Sequence, residues 1–370
     1  MKALVIGGTG PTGPHLIEGL LGRGYETTVL HRGVHEPPEL PDVPHIHADP
    51  HFAETLTEAV GDRRWDVVLA TYGRIKLVGE VLSKHCDHLV AITGVPLYRG
   101  FVEPDGARPY GMQLLAGEDS PKADEVEHPS KFGSMILGAE RSVFAAGAAA
   151  GIAVSSVRYP QIYGPRNIVP WEWAVLKRIA DGRRQMILPD DGLWIISRCA
   201  AQNAAEVVLR IVDRREVSAG QAYNCADDVQ YTLRQWAELV SDLAGGDLEF
   251  VGIPSLLAPS PMAEWLAPGS RPHMVVSTQK ARDELGYRDV VHPLVALEQT
   301  VAWLQQHPVT KADYPMYPAR FDYEFEDRLI ASWAWAVDQV QAEAPDQLPE
   351  LAHPMPHPKA PSLVADERGR

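Results

Sequence analysis

Cysteine is nearly missing from this chain. Three residues in 370, Cys86, Cys199 and Cys225, are odd in number and widely spaced, so neither a disulfide framework nor a zinc signature is present. That pattern points to a reduced, cytoplasmic protein. Long apolar runs are missing too. No stretch of about twenty apolar residues exists, so neither a transmembrane helix nor a membrane partner is expected. Lys2 is followed by only a short apolar run that goes straight into a glycine turn, so no signal peptide is expected. Basic runs are absent, and the net charge is −15, against the positive surface that nucleic-acid binding needs. There is no internal repeat. The remaining composition, 45% apolar and 22% charged, is that of a globular protein whose length allows two or three domains.

What is present is concentrated at the start. Residues 1–33 read MKALVIGGTGPTGPHLIEGLLGRGYETTVLHRG. Ala3 to Ile6 is a short branched apolar run, suited to a strand buried on both faces. Gly7, Gly10 and Gly13 follow at intervals of three. Apolar residues then take helical spacing from Leu16 to Leu21, Gly24 stands as a helix stop, and Glu26 to Leu30 reads as a second strand. A strand, glycine turn, helix and strand in about thirty residues is the context of a dinucleotide site. Gly7 permits the tight turn, Gly10 lets the backbone approach a pyrophosphate, and Gly13 lets the helix pack closely. The helix N-terminus offers N–H groups and a positive dipole end to the phosphates. Thr9, Pro11 and Thr12 complete the loop.

The end of the second strand carries His31, Arg32 and Gly33. Binders of the unphosphorylated cofactor place Asp or Glu there, for the ribose 2′-hydroxyl. With no carboxylate and a guanidinium available for a 2′-phosphate, the expectation is NADP rather than NAD. Further along, Val43 to Ala48, Trp65 to Thr71 and His88 to Thr93 read as strands, and Ile75 to Lys84 as a helix. Strands alternating with helices indicate an α/β, Rossmann-type doubly wound parallel sheet. Ligands sit at the carboxyl ends of such strands, which singles out Asp49, Ala70, Thr71, Tyr72 and Thr93. His45, His47 and His51 invite a metal reading. No Cys or carboxylate cluster stands near them at ligand spacing, so a strand-edge pair plus a loop histidine is expected, with no metal.

From Thr93 onward the order of motifs resembles the extended short-chain dehydrogenase/reductases, in their epimerase/dehydratase branch. The resemblance covers roughly residues 1–307. It is carried by GGTGPTG, PLYR at 96–99, Glu118-Asp119-Ser120-Pro121, RYPQIYGP at 158–165, Tyr223-Asn224 and KARDELGY at 280–287. It implies an NADP-binding Rossmann domain over 1–168, with parts of 195–230 returning to it. A smaller α/β substrate-binding lobe would follow over 169–307, and 308–370 would be a helical C-terminal extension. It also brings Tyr159, Pro160 and Ile162 beside the nicotinamide.

The same resemblance implies a catalytic trio: a Tyr, a Lys four residues later, and a Ser or Thr at the end of the fifth strand. Here the chain departs from the pattern. The matching positions hold Phe132 and Ile136, and Gly94 stands at the Ser position with Thr93 beside it. The phenols Tyr98, Tyr163 and Tyr110, and His128, are then the groups available, with Thr93, Tyr98 and Tyr163 the catalytic expectation. Lys131 lies about 140° around the helix from Ile136, so it reads as a solvated lysine. In the second lobe Pro170 suits a first helical position. Trp171, Trp173 and Trp194 fall where the family has its substrate lid, which suggests an apolar or aromatic substrate, though tryptophan also fills cores. The family's Asp before the Ala-rich helix is lost, since this chain reads SRCAAQNAAEVV at 197–208.

Tyr323 to Ala342 reads as a helix with Leu329, Trp333, Val337 and Val340 on one stripe, suited to its own lobe or to a homodimer. The segment from Pro345 reads as a surface or disordered tail. The function expected is an atypical oxidoreductase, a ketone reductase acting on an apolar or aromatic small molecule. The alternatives are a non-redox isomerase or lyase with a structural cofactor, and a non-catalytic NADP-binding sensor or partner protein.

Overall fold

The structure is a computed structural model. It describes residues 1–34, 40–125, 129–257, 272–310 and 321–343; His128 and the segment from Pro345 lie outside these. The chain divides into two units, 1–326 and 327–370.

The first unit is built on seven parallel strands: β1 (Lys2–Ile6), β2 (Glu26–His31), β3 (His45–His47), β4 (Trp65–Ala70), β5 (Cys86–Gly94), β6 (Ala153–Tyr159) and, after an excursion, β10 (Ala222–Asn224). Their spatial order is β10-β6-β5-β4-β1-β2-β3. The expected Rossmann-type sheet is what the chain forms. The third strand is shorter than Val43 to Ala48, as suits a sheet edge.

Alternating strand residues serve opposite faces. Ala3, Val5 and Val29 point toward α1 (Gly13–Gly22) and α6 (Ala201–Asp213), where Leu16, Ile17, Leu20, Val208 and Ile211 are fully buried. Leu4, Ile6, Leu30 and Val68 point toward α2 (Ala53–Val60), α3 (Ile75–Leu82) and α4 (Lys131–Ala150). Burial on both faces explains the nearly continuous apolar strands.

Segments on both sides of β10 in the chain, after β6, build a second core. It uses two small parallel pairs, β7 (Gln161–Tyr163) with β9 (Arg198–Ala200), and β8 (Gln185–Pro189) with β11 (Glu249–Ile253). Around them stand α5 (Trp173–Ala180), α8 (Leu233–Leu243) and α10 (Pro293–Gln306), while α7 (Arg215–Ser218) and α9 (Gln279–Leu285) pack with α6 against the edge of the large sheet. Helix α5 begins at Trp173, not at Pro170. Pro170 sits in the preceding turn, where its carbonyl accepts the Trp173 N–H.

Trp173, Trp194 and Trp236 are all buried in this second core together with Tyr98, Tyr163 and Leu297. Trp171 packs against it half-buried. The lid expected from the tryptophans is thus largely interior. The last helix, α11 (Tyr323–Ala342), spans the expected bounds. Its Glu326 is fully buried against Arg178 and accepts the Ile187 N–H, which ties the end of the first unit to α5 and β8.

Candidate functional site

The loop after β1 turns through two successive left-handed residues, Gly7 (φ 98°) and Gly8 (φ 79°). Only glycine adopts these without strain. Gly8 was not singled out in the sequence, because the Gly-x-x-Gly-x-x-Gly spacing passes over it. A Cβ on Gly13 would lie 1.9 Å from the Gly8 carbonyl oxygen, so the start of α1 seats directly on the loop. A Cβ on Gly10 would meet nothing within 4 Å. The loop is therefore closed on the protein side and open at Gly10. Helix α1 has no acidic residue in its first turn, so its positive end is not neutralised there. Tyr159, the last residue of β6, has its hydroxyl buried without a hydrogen-bond partner, and burial raises that phenol well above its usual range.

Arg32, Asp49, His51 and Tyr72 gather past the carboxyl ends of β2, β3 and β4. The exposed Arg32 guanidinium stands 5.7 Å from the Tyr72 ring centre. The His51 ring meets Tyr72 edge-on at 5.1 Å. Asp49 accepts the His51 backbone N–H and its ring Nδ1, and these bonds hold its carboxyl below the usual range, with Arg32 adding to the effect. Thr71 differs from expectation: its hydroxyl donates to the Ile6 carbonyl at 2.7 Å and closes β4 onto β1. Ala70 ends β4 as a buried residue.

The histidine grouping also changes. His31, His45 and His47, not His51, come together, with ligand atoms within 4.8 Å of one another. Register decides this: β2 pairs with β3 as Val29 with His45 and His31 with His47, which places all three rings on one sheet face. The Gly33 N–H donates to His31 Nδ1 at 3.2 Å, so His31 Nε2 carries the proton toward His45 Nδ1 at 3.0 Å. His31, expected to face the cofactor, is instead buried in this group.

The catalytic expectations meet a buried network. Arg158 holds Glu140 through both nitrogens of one edge, Nε to Oε2 at 3.0 Å and Nη2 to Oε1 at 2.7 Å. Thr93 and Ser156 hydroxyls also donate to Glu140 Oε2. Arg158 Nη1 donates to the Tyr98 hydroxyl, which donates to Asn224 Oδ1 at 2.8 Å. Burial pushes the Tyr98 phenol up to about 12, against the opposing pull of Arg158. Tyr163 donates to Asp227 Oδ2 at 2.8 Å, and burial raises its phenol further still. Thr93, Tyr98 and Tyr163 thus have their hydroxyls committed to protein partners. Phe132 is exposed in the first turn of α4, and Ile136 Cδ1 lies 3.9 Å from the Cβ position of Gly94, at the end of β5. Lys131 is exposed. Pro160 and Ile162 are half-buried beyond β6.

No family model matches the chain. A curated relative, the 3-diazoavenalumate denitrifying reductase of a Streptomyces species, is 24% identical over 307 residues, 79% of this chain and 97% of that protein. Among solved structures, UDP-glucose 4-epimerase of Thermotoga maritima with UDP-glucose superposes with a TM-score of 0.64 at 16% identity, covering 83% of this chain and 99% of that one. The dTDP-glucose 4,6-dehydratase of Bacillus anthracis in complex with NAD gives 0.63 at 17% identity, over 83% and 97%. The chain has the epimerase/dehydratase fold. In that fold the order 3-2-1-4-5-6 reverses at β1 and β4, and the crevice at this reversal is where Gly10, Arg32 and Tyr72 stand.

Two outcomes follow from this geometry. Gly10→Val leaves the thermal midpoint within a few degrees of the parent and abolishes dinucleotide binding, whereas Gly13→Ala lowers the midpoint because its methyl overlaps the Gly8 carbonyl. Differential scanning fluorimetry with and without NADPH separates the two. Asp227 accepts from the Ala200 N–H, Asn203 and Tyr163, yet burial raises its carboxyl to about 6. The folded state therefore holds this proton more tightly than the unfolded chain. Stability from this group is fully present below the unfolded carboxyl value of 3.8 and declines by about 2–3 kcal/mol as pH rises from there through about 6. Asp227→Asn removes that decline in urea titrations taken across this window.

Proposed function

We propose that the protein is a nicotinamide-dependent reductase of the extended short-chain dehydrogenase/reductase type, preferring NADP, that acts on a small aromatic acceptor without a tyrosine–lysine acid–base pair. The observation that carries the reading is the glycine loop, sealed against β1 and α1 yet open at Gly10. The backbone there and the unneutralised end of α1 hold the diphosphate. Arg32, steadied over Tyr72, takes the 2′-phosphate. Bound in this crevice, the reduced cofactor supplies a hydride.

The residues past β5 fit an acceptor that needs no protein acid. Ile136 presents an apolar side chain beside Gly94, and Thr93 spends its hydroxyl on Glu140. A placed general acid contributes only about 10²–10⁴-fold, so its loss slows such a reaction without forbidding it. A ketone activated by its own neighbouring hydroxyl meets this condition. So does a diazo compound, the class named for the curated reductase relative, which supports extending the acceptor class beyond ketones. A second reading, a non-redox epimerase or lyase with a retained cofactor, draws on the named activities of the solved relatives. Substrate conversion without net loss of NADPH would favour it.

Titration of the purified chain with NADPH and NADH tests the reading, and no affinity for either overturns it. Arg32→Ala weakens NADPH by about 10–100-fold, the loss of one charge-assisted phosphate contact, and NADH by much less. Equal losses remove the 2′-phosphate argument. The double variant Phe132→Tyr with Ile136→Lys gains less than about 10-fold in NADPH turnover, because the groups around it are arranged for an apolar Ile136. A gain near that of a placed acid would reveal an intact site lacking only those two residues.

A further inference from the structure

Arg198, on β9, is 2% exposed. Its Nη1 has only long contacts, 3.3 Å to the Tyr231 carbonyl and 3.5 Å to that of Ile196. Its Nε and Nη2 are buried with no hydrogen-bond partner at all. A buried guanidinium left open in this way is costly, and native structures rarely keep one without a reason. The open edge is a specific one. It is the edge with which Arg158 grips both oxygens of Glu140, and Arg23 both oxygens of Asp213. Twice in this chain, therefore, that fork closes on a planar carboxylate.

The surroundings repeat the theme. The guanidinium lies 4.9 Å over the Trp236 ring, which meets Tyr163 edge-on. Gln161 pairs with Arg198 in register across β7 and β9, so both side chains stand on one sheet face with Tyr163. Gln161 Oε1, Glu172 Oε2 and Trp194 Nε1 are likewise buried without partners. Gln161 is two residues past Tyr159, which pairs with Gly94 at the carboxyl end of β5, the ligand side of the sheet. Burial lowers the Arg198 guanidinium to about 10, against the opposing pull of Glu172, Tyr163 and Asp227, and it raises the Glu172 carboxyl. An arriving anion relieves the cost of burying the guanidinium.

We propose that Arg198 is the anchor of the substrate subsite, its Nε/Nη2 edge receiving the carboxylate of an aromatic acid whose ring lies among Trp236 and Trp194. This deepens the reductase reading and rests on it for the word substrate. The subsite itself is measured without cofactor.

The probe is cinnamate, compared with the uncharged cinnamamide and with inorganic phosphate, by calorimetry and tryptophan fluorescence on the full chain. Cinnamate binds at least ~10-fold more tightly than the amide, as expected for one charge-assisted bidentate contact, and phosphate at the same concentration does not compete. Arg198→Leu keeps the fold by circular dichroism and loses the discrimination. Arg198→Lys, which keeps a charge but not the fork, retains only part of it. Equal binding of acid and amide, discrimination surviving in Arg198→Leu, or competition by phosphate overturns the proposal. If Arg198→Leu fails to fold, the acid-against-amide ratio in the parent chain still decides. Loss of carboxylate selectivity with NADPH binding intact removes the subsite alone. Selectivity without any nicotinamide binding removes the reductase reading and leaves the subsite standing.

Discussion

The ion pair between Arg158 and Glu140 is the constraint on which the site depends. It is buried, bidentate and fully bonded, and it joins β6 to α4. Desolvating two charges is unfavourable unless every remaining lone pair and proton is met, and breaking such a pair costs about 3–5 kcal/mol. Thr93, Ser156 and Tyr98 are recruited to meet those groups, and Asn224 extends the chain to β10. Their hydroxyls are thereby withdrawn from the crevice. The groups that seemed available for proton transfer are the ones that make the ion pair tolerable. The catalytic economy of the crevice follows from this electrostatic demand.

The second lobe presents the opposite case. Arg178 and Glu326 are paired in its interior, whereas Arg198 has no partner on its Nε/Nη2 edge. The lobe is otherwise well packed around Trp173, Trp194 and Trp236. The core closes on apolar residues and on one ion pair, yet leaves a second guanidinium open. The aromatic residues suit both, because a tryptophan face accepts apolar neighbours and a cation alike.

Much of the fold was legible in the chain. The branched apolar runs at 3–6, 65–70 and 88–93 identify doubly buried strands, and alternation with helical spacing implies a parallel sheet. The glycine loop was read correctly in outline, since tight turns restrict composition strongly. Gly8 escaped because its left-handed backbone serves the turn without belonging to the spaced triplet. Pro170 misled because a proline tolerated at a helix start is equally at home in the turn before it. Asn203 and Asp227, far apart in sequence, meet only because β9 and the returning segment pack side by side.

The sequence by itself determined the architecture, the open glycine turn and the positions occupied by Phe132, Ile136 and Arg32. These depend on local conformation and on periodicity, which a chain carries within a few residues. The tertiary structure alone decided which polar groups are spent and which stay open. It joined His31 with His45 and His47 through strand register, bound Thr93 and Tyr98 to a distant ion pair, and left the Arg198 fork without a partner. Hydrogen bonds and charge pairing across 60 or more residues are settled by packing, where burial makes each unmet group costly, and no local pattern records that.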